Sequence, residues 1–100
     1  MIDLAPTHME LVREILQREV PQCEVRAFGS RVRGTAQPFS DLDLALVAGE
    51  KLDWRLLEKV RDAFSDSDLP FMVDICDWQS LPDSLRQMIE EDGVILQGVS

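Results

Sequence analysis

Little in this sequence is basic. Ten lysines and arginines stand against nineteen aspartates and glutamates, a formal net charge of -9. That balance argues against a general nucleic-acid binder, because each phosphate contact would be made against repulsion. It leaves room for a nucleotide, whose charge a metal ion can offset locally, and it suits a basic protein partner. Histidine occurs once, at His8, in what reads as the first turn of a helix rather than a catalytic position. The two cysteines, Cys23 and Cys76, lie far apart and make no CxxC pattern. They read as reduced thiols of a cytoplasmic protein, with a disulfide between them left open. No apolar run approaches the ~20 residues needed to cross a bilayer. The opening "MIDLAPTHME" lacks a basic stretch leading into an apolar one, so no signal peptide is expected. There is no repeat, low-complexity tract or linker. A hydrophobic fraction of 45% is that of a globular chain, and a single domain over residues 1–100 with one modest core is expected.

What is present is a regular alternation of elements. Thr7 with Glu10 reads as a capping box, and Leu11, Val12, Ile15 and Leu16 share one face of a helix that ends near Pro21. "EVRAF", Glu24 to Phe28, alternates like a half-buried strand. Gly29-Ser30 breaks it, and "RVRG" suits a short helical turn. Leu42 to Ala48 reads as a central strand. Trp54, Leu57, Val60, Arg61 and Phe64 follow helical spacing, and "SDSDLP" is a turn. Phe71 to Cys76 reads as a third strand. Ser80 with Asp83 resembles a second capping box, before a helix whose apolar stripe is Leu85, Met88 and Ile89. Gly93 stops that helix, and Val94 to Leu96 reads as a short last strand. The expected class is α/β (α+β): a small mixed β-sheet with helices packed on it.

The chemistry concentrates in "FGSRVRGTAQPFSDLDLALV". Asp41 and Asp43 stand at i and i+2, on one face of a strand whose Leu42, Leu44 and Leu46 point into the core. At ~5 Å and an effective dielectric of ~20 their repulsion is roughly 3 kcal/mol. A cation, a shared proton or water must offset it, and Mg²⁺, which takes one or two carboxylates and fills its remaining positions with water and phosphate, suits the pair. A bare DxD is by itself no more than a solvated strand entry. Asp74 adds a third carboxylate. It sits between Val73 and Ile75, where burial of a charge is costly without a partner, and it can join the pair if its strand lies beside the first. Asp77 is a rival, but it faces the other way at a strand end, where a solvated carboxylate is ordinary.

Gly29 permits positive φ and close backbone approach. Ser30 and the N–H groups that open the following turn make an anion site. Arg31 and Arg33 can each serve a phosphate or lie in solvent; Arg33, next to Gly34, is the better candidate. Ser40 has a supporting part in the loop. Trp54 and Trp78 read as core or interface anchors, and Met72, Met88 and Cys76 as filler.

Gly29-Ser30, then ten residues, then Asp41-Leu42-Asp43, then Asp74 on a later strand resembles the signature of the DNA-polymerase-β-like nucleotidyltransferases. "GSRVRGTAQPFSDLDL" looks like their minimal branch, MNT, and the resemblance runs along the whole chain. It implies that Asp41, Asp43 and Asp74 are catalytic and hold a two-metal Mg²⁺ site. It implies that Gly29 and Ser30 cradle the nucleotide's β- and γ-phosphates, with ATP as substrate, and the residue reading adds Arg33 and, in support, Ser40 to the nucleotide-binding set. It further implies an antitoxin that adenylylates a HEPN-domain ribonuclease toxin in a hetero-oligomer, without direct nucleic-acid or membrane binding. The competing class is a non-catalytic antitoxin that acts by occlusion. An aminoglycoside-type small-molecule transferase fits less well, because such enzymes usually carry an acceptor-binding extension.

Overall fold

The central strand is the part of the chain most completely removed from solvent. In this computed structural model, which describes residues 2–37 and 39–98, Leu42, Leu44, Ala45 and Leu46 are all fully buried. They belong to β2 (Leu42–Val47) in a four-stranded sheet of order β3-β2-β1-β4, with β1 at Glu24–Phe28, β3 at Val73–Asp77 and β4 at Val94–Gln97. β1 runs antiparallel to β2 and β4, whereas β2 and β3 are parallel. A parallel pair needs a crossover, supplied here by helix α3 (Trp54–Ser65). The expected mixed sheet, central second strand and helical layers are all present; residues 1, 38, 99 and 100 of the expected domain lie outside the described residues.

One face of the sheet is covered by α1 (Pro6–Glu19) and α3. Val12, Ile15 and Leu16 from α1, with Val60 and Phe64 from α3, meet Val25, Ala27, Leu42, Leu44, Leu46 and Ile75 in one buried cluster. Each such side chain contributes about 1.5–3 kcal/mol on leaving water, so the alternating leucines of β2 pin the strand and, with it, whatever its other face carries. On that other face Ala45 is covered, and Ile89 of α4 (Asp83–Asp92) is buried outside the main cluster. Trp78, in the 3-10 turn Trp78–Ser80, carries the guanidinium groups of Arg26 and Arg86 over its ring.

Neither expected capping box forms. Pro6 occupies the first turn of α1, so Ala5 becomes the cap residue and Thr7 falls inside the helix with no capping bond. Pro82 similarly caps α4 without a side-chain bond, while Ser80 turns toward Asp77 instead. Asp53 does cap α3, accepting from the Arg55 N–H at 2.9 Å. Asp77 is not the solvated strand end expected: it is 4% exposed. Its carboxylate accepts from the N–H groups of Leu52 and Gln79, so it ties the loop after β2 to the turn after β3. Both cysteines are free thiols. Among the described residues no helix is long and apolar enough to cross a membrane.

Candidate active site

Sheet register brings the predicted residues together. Because β1 is antiparallel to β2, its last residue, Phe28, pairs with Asp43 near the start of β2. Because β3 is parallel to β2, its second residue, Asp74, also pairs with Asp43. The turn after β1, the acidic start of β2 and the start of β3 therefore meet at one end of the sheet.

Gly29 makes that turn at φ 85°, ψ -155°, a conformation that disfavours a side chain. A Cβ at Gly29 would also fall on the Asp43 carboxylate, overlapping Oδ2 and reaching 3.3 Å from Cγ. Glycine is thus required twice, by backbone angle and by the aspartate. Ser30 is the first residue of the short helix α2 (Ser30–Arg33), so its N–H has no acceptor within that helix. Gly34 closes α2 in the left-handed region at φ 79°.

Asp43 is half-buried and Asp41 exposed. Asp74 is exposed as well, against the expectation of a buried charge, because β3 is an edge strand of the sheet. Burial, then the charges of Asp74 and Asp41, push the Asp43 carboxyl above its ordinary range. Among the described residues no salt bridge falls on any of the three, and no three His, Cys, Asp or Glu side chains enclose a metal position by themselves. Hard carboxylate oxygens with an uncompensated charge nonetheless fit Mg²⁺, which takes only one or two carboxylates and completes its shell with water and substrate phosphate.

The other predicted residues separate. Arg31 is not a solvent-facing side chain but is 6% exposed. It donates from Nε to the Ser40 carbonyl at 2.9 Å and from Nη1 to the Asp3 carbonyl at 3.0 Å, and it lies 4.1 Å over the Phe71 ring. It fastens the amino-terminal segment, the loop before β2 and Phe71 to α2. Ser40 supports the loop as expected, its Oγ accepting from the Gln37 N–H at 2.8 Å. Arg33 is exposed and reaches Met88 on α4. His8 packs edge-on against Phe71 at 5.7 Å, and Trp54 is 67% exposed, which excludes the core half of the core-or-interface reading. Met72 is not filler: it is 74% exposed, and Phe39 is 75% exposed. The two line an open groove of about 850 Å³ whose lining also includes Asp41 and Asp74. No periodicity in the sequence marks that groove, because its walls come from separate segments: the loop before β2, the end of α3 and the stretch that leads into β3.

The sequence profile of the family described as "Polymerase beta, Nucleotidyltransferase" matches residues 10–98. A Haemophilus influenzae protein named probable protein adenylyltransferase MntA is 42% identical over 96 residues, covering 96% of this chain and 84% of its own length. A crystal structure of a toxin–antitoxin with AMP-PNP is similar with a TM-score of 0.66 and 31% identity, over 92% of this chain and 74% of that one. A structure of a tri-AMPylated Shewanella oneidensis HEPN toxin in complex with MNT antitoxin is similar with a TM-score of 0.58 and 28% identity, over 91% and 73% of the two chains.

Proposed function

Since the chain belongs to the polymerase-β nucleotidyltransferase family, we propose that it is an antitoxin that transfers AMP from ATP to a HEPN-domain toxin. The observation that carries this reading is the meeting of Gly29, Asp43 and Asp74 at one end of the sheet. The relatives point the same way: one is named a probable protein adenylyltransferase, one structure pairs a toxin–antitoxin with AMP-PNP, and one contains an AMPylated toxin.

In this reading Asp41, Asp43 and Asp74 hold Mg²⁺, which when bound neutralises the triphosphate charge. Gly29 lets the backbone approach the β- and γ-phosphates closely, and Ser30 offers its N–H and hydroxyl to them. Arg33 adds positive charge at the end of α2, and Ser40 holds the loop that delivers Asp41. A hydroxyl oxygen of the partner attacks the α-phosphorus, and the bond from that phosphorus to the α,β-bridging oxygen breaks. Pyrophosphate leaves with the electron pair, and the hydroxyl proton passes to an Asp74 carboxylate oxygen. Residues 1–100 act as one catalytic unit.

The test is incubation with the partner toxin, Mg²⁺ and ATP labelled on the α-phosphate. Label should appear on the toxin and vanish with Asp41→Asn or Asp43→Asn. Neutralisation that persists in both variants, with no transfer by the parent protein, would overturn the reading in favour of occlusion.

A further inference from the structure

We infer that the groove between Phe39 and Met72 seats the segment of the partner protein that carries the acceptor hydroxyl, and that this segment is chiefly apolar. The inference rests on the transfer reading above and adds to it the side from which the acceptor arrives. In-line displacement places the attacking oxygen opposite the leaving one. Gly29 and Ser30 follow β1, so the leaving pyrophosphate lies on the β1 side of Asp43. The attacking hydroxyl must then enter from the β3 side, where the sheet ends.

The groove lies on that side. Asp41 and Asp74 line it, and Phe39, Phe71 and Met72 contribute apolar wall. Two large apolar side chains held three-quarters exposed beside a reaction centre are the anchors a protein partner buries. The charge of the groove sets the partner's chemistry. Asp41 and Asp74 are taken up by Mg²⁺ in the transfer reading, which leaves Asp62 and Arg61 as the other charged side chains among the described residues that line it. Arg61 already donates to the Ile75 carbonyl at 2.9 Å and pairs with Glu58. An apolar segment, with a basic residue only opposite Asp62, complements that wall. The groove is also preformed, because Arg31 holds the Ser40 backbone and the Phe71 ring together beneath it. A partner meets little ordering cost there.

The experiment uses the full chain, its purified toxin partner, Mg²⁺ and ATP. Steady-state transfer gives KM for the toxin and kcat, calorimetry gives affinity for a non-hydrolysable ATP analogue, and a separate titration gives affinity for the toxin itself. Phe39→Ala and Met72→Lys are both exposed positions, so folding is preserved; melting curves check this. The expected result is a rise of roughly tenfold or more in KM for the toxin with Met72→Lys, a smaller rise with Phe39→Ala, and a change below about twofold in nucleotide affinity. An unaltered KM, or a loss of nucleotide affinity in its place, overturns the inference; the second result would assign the groove to the nucleotide base. If the parent protein transfers no label, the transfer reading fails, and the groove is then judged on toxin affinity in the same variants.

Discussion

Asp43 is held where its charge is disfavoured, so removing that charge should stabilise the metal-free protein while ending its activity. Asp43→Asn keeps the shape and discards the charge. The carboxyl is raised first by burial and then by Asp74 and Asp41. Asp74 is its direct neighbour in the parallel ladder, and adjacent strands lie ~4.8 Å apart. Two charges at ~5 Å repel by about 0.8 kcal/mol in water and about 3 kcal/mol at an effective dielectric of 20. Asp74 and Asp41 are exposed, so solvent screening places the effect near the lower figure, about 1 kcal/mol. For a domain of this size that is a rise in Tm of roughly 4–8 °C. The pH dependence has a definite sign. The folded pKa lies above the ordinary value of 3.8, so between the two values the native state binds more protons than the unfolded one. Stability therefore falls as pH rises through that window. The advantage of Asp43→Asn should be complete above the folded pKa and absent below 3.8. Melting curves at pH 7 and pH 3.5, with and without Mg²⁺, test this. Mg²⁺ should stabilise the parent protein and leave the variant nearly unmoved. A variant that melts lower than the parent at pH 7 without Mg²⁺, or an equal Mg²⁺ response in both, would refute the reasoning.

Three further expectations follow from the same geometry. Gly29→Ala should cost roughly 1–3 kcal/mol from its positive φ alone, and more with Asp43 present than in an Asp43→Ala background, where the overlap is relieved; a urea double-mutant cycle with equal costs would count against the contact. Arg31→Ala should lower stability by about 2 kcal/mol or more through loss of two charged hydrogen bonds and its stacking on Phe71. Arg31→Lys should recover only part of that, because lysine lacks the planar fork; full recovery in denaturant titration would contradict the assignment. The Cys76 thiol is pushed up to about 11 by burial and by Asp74, Asp43 and Asp77, with Arg61 opposing. At pH 8 its thiolate fraction is then about 0.001, against about 0.2 for an ordinary cysteine. Iodoacetamide should label it on the order of 100-fold slower than a free thiol, and faster in Asp74→Asn; labelling at the free-cysteine rate would exclude the effect.

The period-2 alternation of "DLDLAL" is a local property. It was enough to send Leu42, Leu44 and Leu46 into the core and Asp43 to the other face, because successive strand side chains must point oppositely. The break at Gly29-Ser30 and the stop at Gly34 were equally legible, since positive φ favours glycine. Prolines decided the helix starts against the capping boxes, because Pro6 and Pro82 set the first turns of α1 and α4. Other features depend on contacts between distant segments. That Asp74 lies beside Asp43 follows from strand order and register, which no window of sequence contains. Asp74 is exposed because the sheet ends at β3, and Asp77, three residues on, is buried because the loop after β2 closes over it. Arg31 and Arg33 read alike in sequence, yet one is buried under the loop before β2 while the other stays in solvent. Phe39 and Met72 are apolar residues that tertiary packing leaves outside the core. Residue type and spacing thus determined which groups could form a phosphate and metal site. Chain crossing and packing decided which of them meet and which are sequestered.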